Sequence, residues 1–220
     1  MKRLRTVMHL VALFLLLAIT PASAQVTLGL RAGASASTIA LTDFYIDSQE
    51  SRRGIQLGLS AAVPVSGMVS VALGADYLQR GSTATLLQLG DIEHTSEYLQ
   101  FSALGSVSVP LAGSPLSLQL LAGPAAAWEL SCERRTEFAV QPVTLLTDCD
   151  DPMSATSTRA LDVGLLGGLG ARLSPAGRTV ALSLEVIYSH GLRSILESER
   201  DTTAKNRAMT VQAGLDFSIG

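Results

Sequence analysis

Thr179-Val180-Ala181-Leu182-Ser183-Leu184-Glu185-Val186-Ile187-Tyr188 is the stretch on which the fold turns. Val180, Leu182, Leu184, Val186 and Tyr188 occupy every second position, with Ala181, Ser183, Glu185 and Ile187 between them. Successive side chains of an extended chain point to opposite faces, so a period of two gives one apolar face and one mostly small or polar face. A helix repeats at about 3.6 residues and would mix the two sets. The stretch therefore reads as a β-strand whose two faces meet different surroundings.

Seven other stretches alternate in the same way: Val26 to Ala36, Gly54 to Val63, Met68 to Arg80, Glu97 to Val109, Leu116 to Leu130, Arg159 to Leu173 and Ala208 to Ile219. Each meets the roughly 9–11 residues that a tilted strand needs to cross a bilayer. Pro64 to Gly67, Pro110 to Pro115 and Ser174 to Arg178 are short connections rich in Pro, Gly and Ser, as tight turns require. Leu41 to Arg53, Gly81 to Ser96, Ser131 to Thr158 and Ser189 to Arg207 are longer and more polar. Short turns alternating with long loops predict an all-β fold, an eight-stranded antiparallel up-and-down transmembrane β-barrel with both termini at the short-turn end.

A lipocalin-like barrel has the same alternation with its apolar face inward, so the face toward lipid needs its own argument. Tyr77, Phe101, Trp128 and Tyr188 share the apolar parity near the long-loop ends of their strands, and Phe217 shares it near the opposite rim. Aromatic residues gathered at interface level match the girdles of lipid-embedded barrels. Charge usage agrees. The segment Met1 to Ala24 has basic residues Lys2, Arg3 and Arg5, an apolar stretch from Leu10 to Ile19 and small residues before Gln25, the order of a cleaved signal peptide. That apolar stretch is short for an uncleaved anchor, and no Cys at the cleavage point offers a lipid anchor. Residues 25–220 form the barrel domain and retain 16 − 3 = 13 Lys+Arg against 19 Asp+Glu, a net charge of −6. This balance excludes nucleic acid as an expected partner. Lys205 is the one lysine left, and with 47% hydrophobic residues and positive mean hydropathy this suggests an exterior facing lipid.

The opposite face carries charges at two levels. Asp76, Arg80, Glu129 and Asp162 are expected near the external end, and Arg31, Arg172, Glu185 and Asp216 toward the periplasmic end. Buried charge demands partners, so a structural ion-pair network in a side-chain-filled interior is the leading reading, with a proton or ion path as the alternative.

Cys132 and Cys149 flank most of the longest loop, and an even pair in an oxidising compartment reads as a disulfide. Without a C-x-x-C or a neighbouring His in sequence, neither a redox nor a metal role is expected. Asp148, Asp150 and Asp151 lack the ligand spacing of a calcium loop and read as a solvated acidic loop. His190, with Ser189, Ser194 and Glu197 nearby, invites comparison with lipid A deacylases, but adjacent strand positions face opposite ways. Gly164 to Gly170 is glycine-rich inside a strand pattern with no helix after it, which does not suit phosphate binding. No catalytic residue, cofactor or metal is expected.

Five motifs in order give the chain a family likeness: Leu28-Gly29-Leu30-Arg31-Ala32-Gly33, Ala75-Asp76-Tyr77-Leu78-Gln79-Arg80-Gly81, Glu97-Tyr98-Leu99, Leu121-Ala122-Gly123-Pro124 and Ala213-Gly214-Leu215-Asp216-Phe217. With them the chain resembles the PorT-like outer-membrane β-barrel family over nearly all of residues 25–220. The resemblance implies a place in the outer membrane of a Gram-negative-type bacterium and, for some relatives, a link to secretion machinery. It carries over no catalytic residue. The chain departs from a common barrel pattern by ending Phe217-Ser218-Ile219-Gly220, without a terminal aromatic. The expected partners are outer-membrane lipids, the barrel-assembly machinery during biogenesis, and an external or periplasmic protein that the sequence does not name. A lipid-modifying enzyme and a soluble periplasmic lipocalin-like binder are the alternatives.

Overall fold

Residues 25–41, 48–86, 90–138, 144–149, 157–158, 160–194, 196–197 and 204–219 are described by the structure, a computed structural model. The segment read as a signal peptide, Asp150, Asp151 and the side chains of Asp148 and Glu197 lie outside the described residues. The strands are β1 (Val26–Leu41), β2 (Ser48–Pro64), β3 (Val69–Leu86), β4 (Gly90–Pro110), β5 (Leu116–Phe138), β6 (Thr144–Asp148), β7 (Ser157–Thr158), β8 (Leu161–Leu173), β9 (Val180–Gly191), β10 (Leu196–Glu197) and β11 (Ala204–Ile219).

Eight of these close into one antiparallel ring. Neighbours run β1, β2, β3, β4, β5, β8, β9, β11 and back to β1. The register sets its geometry. From Arg53 on β2 the pairings lead through Ala36, Met209, Tyr188, Gly167, Ala122, Gly105 and Val71 to Val63, back on β2 and 63 − 53 = 10 residues away. Ten residues of stagger over eight strands correspond to a tilt of about 40°, so each residue climbs about 2.5 Å along the barrel axis.

The exterior is apolar and the interior polar. Along β11 the exposed residues include Met209, Val211, Leu215, Phe217 and Ile219, while the buried ones include Asn206, Thr210, Gln212 and Asp216. Around the ring, Leu59 is 60% exposed and Leu169 66%, while Gln212 is 5% and Asp216 2%. The lipocalin-like alternative needs the reverse distribution.

Turns at 65–68, 111–115 and 174–179 close the lower end. Gly113 and Gly177 hold φ of 72° and 71°, a region that favours glycine. At this lower end the strands stop within about a residue of the sequence reading. At the upper end most run further: β1 reaches Leu41, β3 Leu86 and β5 Phe138, and β4 starts at Gly90. The segment read as a long loop after Leu130 continues β5 and adds β6, paired over Glu133 to Glu137. Above the apolar belt both faces meet water, so the backbone pairs without an alternating sequence to reveal it.

Candidate functional site

Two clusters of charge occupy the barrel interior. In the lower one Arg31 on β1 lies between Asp216 of β11 and Glu185 of β9. Its Nη1 donates to Asp216 Oδ1 at 2.5 Å and its Nε stands 3.7 Å from Glu185 Oε2. Arg172 of β8 approaches the second Asp216 oxygen at 3.5 Å. A chain of amides extends the cluster, Gln212 donating to Glu185 at 2.6 Å and Gln56 donating to Gln212 at 3.0 Å. The guanidinium of Arg31 fits because Gly214 and Gly29 leave the barrel wall bare; a Cβ at either position would meet Arg31 Nη1.

The upper cluster centres on Arg80. Its guanidinium is 3.5 Å from Asp162 Oδ2 and donates to Gln100 Oε1 at 2.8 Å and to Ser189 Oγ at 3.2 Å. It also lies 5.8 Å from the centroid of the Tyr98 ring, a cation–π distance. Asn206 donates to the same Asp162 oxygen at 2.9 Å. Glu129 reaches this cluster through Tyr98, whose hydroxyl donates to Glu129 Oε1 at 3.5 Å. Asp76 does not join it. Four residues below Arg80 on β3, it is approached by the Gln56 and Gln100 amides and interacts at longer range with Arg31 and Glu185. The expected grouping of Asp76 with Arg80 near the external end is thus replaced by a bridging position, because four residues of the same strand set Asp76 about 10 Å lower than Arg80.

Between the clusters Leu166, Ile187 and Ala125 pack with Leu104 as an apolar wedge, leaving a cavity of about 60 Å³ against Asp76, Gln56 and Thr210. That space suits about two waters by volume. A recess of about 250 Å³ opens below, lined by Thr27, Ser70, Ser108, Arg172 and Ser218.

A third site stands above the belt. The disulfide Cys132–Cys149 ties β5 to the residue after β6, with a Cα–Cα distance of 5.5 Å. Cys132 faces inward because β5 carries a bulge. Tyr98 pairs with Glu129 and Glu97 with Ser131, so Leu130 has no partner on β4 and the parity above it reverses. His94, read as a loop residue, lies on β4 with its Nε2 3.6 Å from Cys132 Sγ and its Nδ1 3.8 Å from Cys149 Sγ. The absence of a neighbouring His is therefore true of the sequence and not of the structure. The donor atoms of His94, Cys132 and Cys149 fall within 4.8 Å of one another, but a disulfide has no thiolate to offer a metal. Ser96 Oγ lies 3.1 Å from His94 Nε2. Burial pushes the His94 imidazole down to about 4, and Arg134 and Arg52 add to the effect.

On the outer wall Tyr77, Leu99 and Trp128 stand side by side on β3, β4 and β5, with Phe101 beside Ala75 and Ala126 below them. Tyr188 and Phe217 face outward on β9 and β11. By the register, Trp128, Tyr77, Phe101 and Tyr188 fall within about 10 Å of height. Ser189 and His190 face opposite ways: Ser189 is buried against Arg80, and His190 stacks on Tyr188 outside, ring centroids 6.4 Å apart. Ser194 accepts a hydrogen bond from the Ala204 N–H at 3.2 Å. These residues are not assembled into a nucleophile and base.

No family model and no curated protein matches the sequence. Among solved structures, Neisserial surface protein A is similar with a TM-score of 0.45 and 11% identity, over 87% of this chain and 97% of that one. A major outer membrane protein from Thermus thermophilus is similar with a TM-score of 0.49 and 11% identity, over 88% and 99%. The outer membrane enzyme PagL is similar with a TM-score of 0.40 and 12% identity, over 85% and 99%.

Proposed function

We propose that the chain is a non-enzymatic integral protein of a bacterial outer membrane, with a filled interior and an upper sheet that serves as a binding surface or helps organise the envelope. The observation that carries this reading is the inverted distribution of polarity: exposed Leu and Val form a belt around a closed ring whose buried face holds Arg, Asp, Glu and Gln. From Arg207 down to Phe217 the β11 wall descends roughly 25 Å, the height of the apolar band of such barrels. A closed ring leaves no unpaired edge in the hydrocarbon. The network around Arg31 and Arg80 acts as packing across the interior, and the wedge of Leu104, Leu166 and Ile187 opposes an aqueous channel. The PorT-like assignment rests on the sequence motifs, and with it a place in secretion or envelope organisation.

The test is fractionation of cells expressing the full chain, followed by electrophoresis of the membrane fraction with and without heating and reductant. The expected result is an outer-membrane band whose mobility changes on heating. Recovery in the soluble periplasm without detergent would overturn the reading.

A further inference from the structure

Just above the belt three cations, Arg53, Lys205 and Arg207, stand on the outer wall around β1, with Glu50 exposed three positions above Arg53 on β2. Arg53 of β2 pairs with Ala36, and Arg207 of β11 pairs with Thr38, so the two flank β1 about 10 Å apart. Ala36 and Thr38 stand two positions apart on β1, and the tilt offsets that difference, which puts the two arginines at nearly the same height. Both are exposed on the face that carries Ile55 and Met209 below them. Lys205, the one lysine after residue 24, stands two positions above Arg207 on the same face of β11. Among the described residues none of the three forms an ion pair, whereas Arg31, Arg52, Arg80, Arg135 and Arg172 all do. Elsewhere on the outer face Glu97 stands on β4, two strands from Arg53, and Glu133 and Arg135 stand higher on β5.

We infer that Arg53, Arg207 and Lys205 form a site on the barrel wall for the phosphate groups of an outer-leaflet glycolipid. The inference rests on the outer-membrane reading above. Cations directly above the apolar belt face the headgroup layer, where phosphate is the complementary charge and an arginine fork holds it through paired N–H donors. Acyl chains of the same lipid have Ile55, Met209 and Val211 to lie against.

The test uses the full chain inserted into phosphatidylcholine vesicles containing either a bis-phosphorylated lipid A or its dephosphorylated form. Lipid retained with the protein is measured by native mass spectrometry. The wild type retains the phosphorylated form preferentially, and Arg53→Gln/Lys205→Gln/Arg207→Gln weakens that retention by about 100-fold, from the loss of three charges near the surface. Arg53→Lys/Arg207→Lys keeps the charge but not the fork and retains part of the preference, and Arg135→Gln, elsewhere on the rim, leaves it unchanged. Equal retention of the two lipids by the wild type, or equal retention by wild type and triple variant, would overturn the site while leaving the barrel reading intact. A wild-type chain that does not enter neutral vesicles would remove the membrane reading and the site with it. Heat-dependent mobility of each variant shows whether it has folded.

Discussion

The guanidinium of Arg31, near the start of the first strand, lies against the carboxylate of Asp216, near the end of the last, across 185 positions of sequence. The seam between β1 and β11 closes the ring, so this pair clamps the closure from inside. Asp216→Ala leaves half-buried Arg31 with Glu185 as its remaining partner and takes away the carboxylate that half-buried Arg172 approaches. Breaking such a pair costs about 3 kcal/mol, and Arg31→Met/Asp216→Leu recovers part of the loss. Urea titration in detergent micelles measures both; a wild-type midpoint for Asp216→Ala would show that backbone pairing alone holds the seam.

Gly214 tests the same clamp without touching a charge. Gly214→Leu puts a side chain where the Arg31 guanidinium and Ser183 Oγ lie. The expected cost is about 1–3 kcal/mol of overpacking, read in the same titration, and the effect is non-additive with Arg31→Met because that change frees the space.

Arg80 anchors the upper cluster. Arg80→Met leaves Asp162 with Asn206 as its neutral partner, with an expected loss of about 3 kcal/mol that Arg80→Met/Asp162→Asn reduces. Tyr98→Phe removes one hydroxyl that bridges Asn206 and Glu129 and should cost about 1 kcal/mol. If Tyr98→Phe proved the more damaging change, the cluster would be held by its hydroxyl and not by its charge.

The disulfide closes a loop with a sequence separation of 17, for which restriction of the unfolded chain amounts to about 3 kcal/mol. In Cys132→Ser/Cys149→Ser, hydrogen exchange should speed up in β6 and in β5 above Leu130, while the amides around Arg31 and Asp216 keep wild-type protection. Uniform acceleration down the barrel would contradict a local role.

The pH response of the upper sheet follows from His94. Its imidazole is held neutral to about 4 in the folded state, against about 6.5 when exposed. Below 6.5 the opened sheet therefore binds a proton that the closed one refuses, and the closed form loses stability as pH falls from about 6.5 to 4. Hydrogen exchange of 90–97 at pH 7 and pH 5 measures this, with faster opening at pH 5 that His94→Gln abolishes. A protection factor, corrected for the pH dependence of intrinsic exchange, that is the same at both pH values in the wild type would count against the buried neutral imidazole.

Much of the architecture was legible in residues such as Leu57, Leu59, Val186 and Leu215, whose alternation follows from facing lipid on one side and a polar interior on the other. The upper thirds of β4 and β5 were not, because a strand with water on both faces has no hydrophobic period to display. The pairing of Cys132 with Cys149 could be read from compartment and number, yet the approach of His94 could not. It depends on the bulge at Leu130, which reverses the facing of Cys132 and leaves no mark in composition.

The sequence by itself determined that eight strands close with short turns at one end, which residues face lipid, and which charges lie inside. Those properties are local: each follows from a side chain's parity and its cost of transfer between lipid, water and polar interior. Only the tertiary structure decided that Arg31 meets Asp216, that Arg80 meets Asp162 while Asp76 bridges the two clusters, and that Arg53 and Arg207 share a level. These partnerships depend on the ten-residue stagger, because tilting the strands slides distant positions past one another until the ring closes.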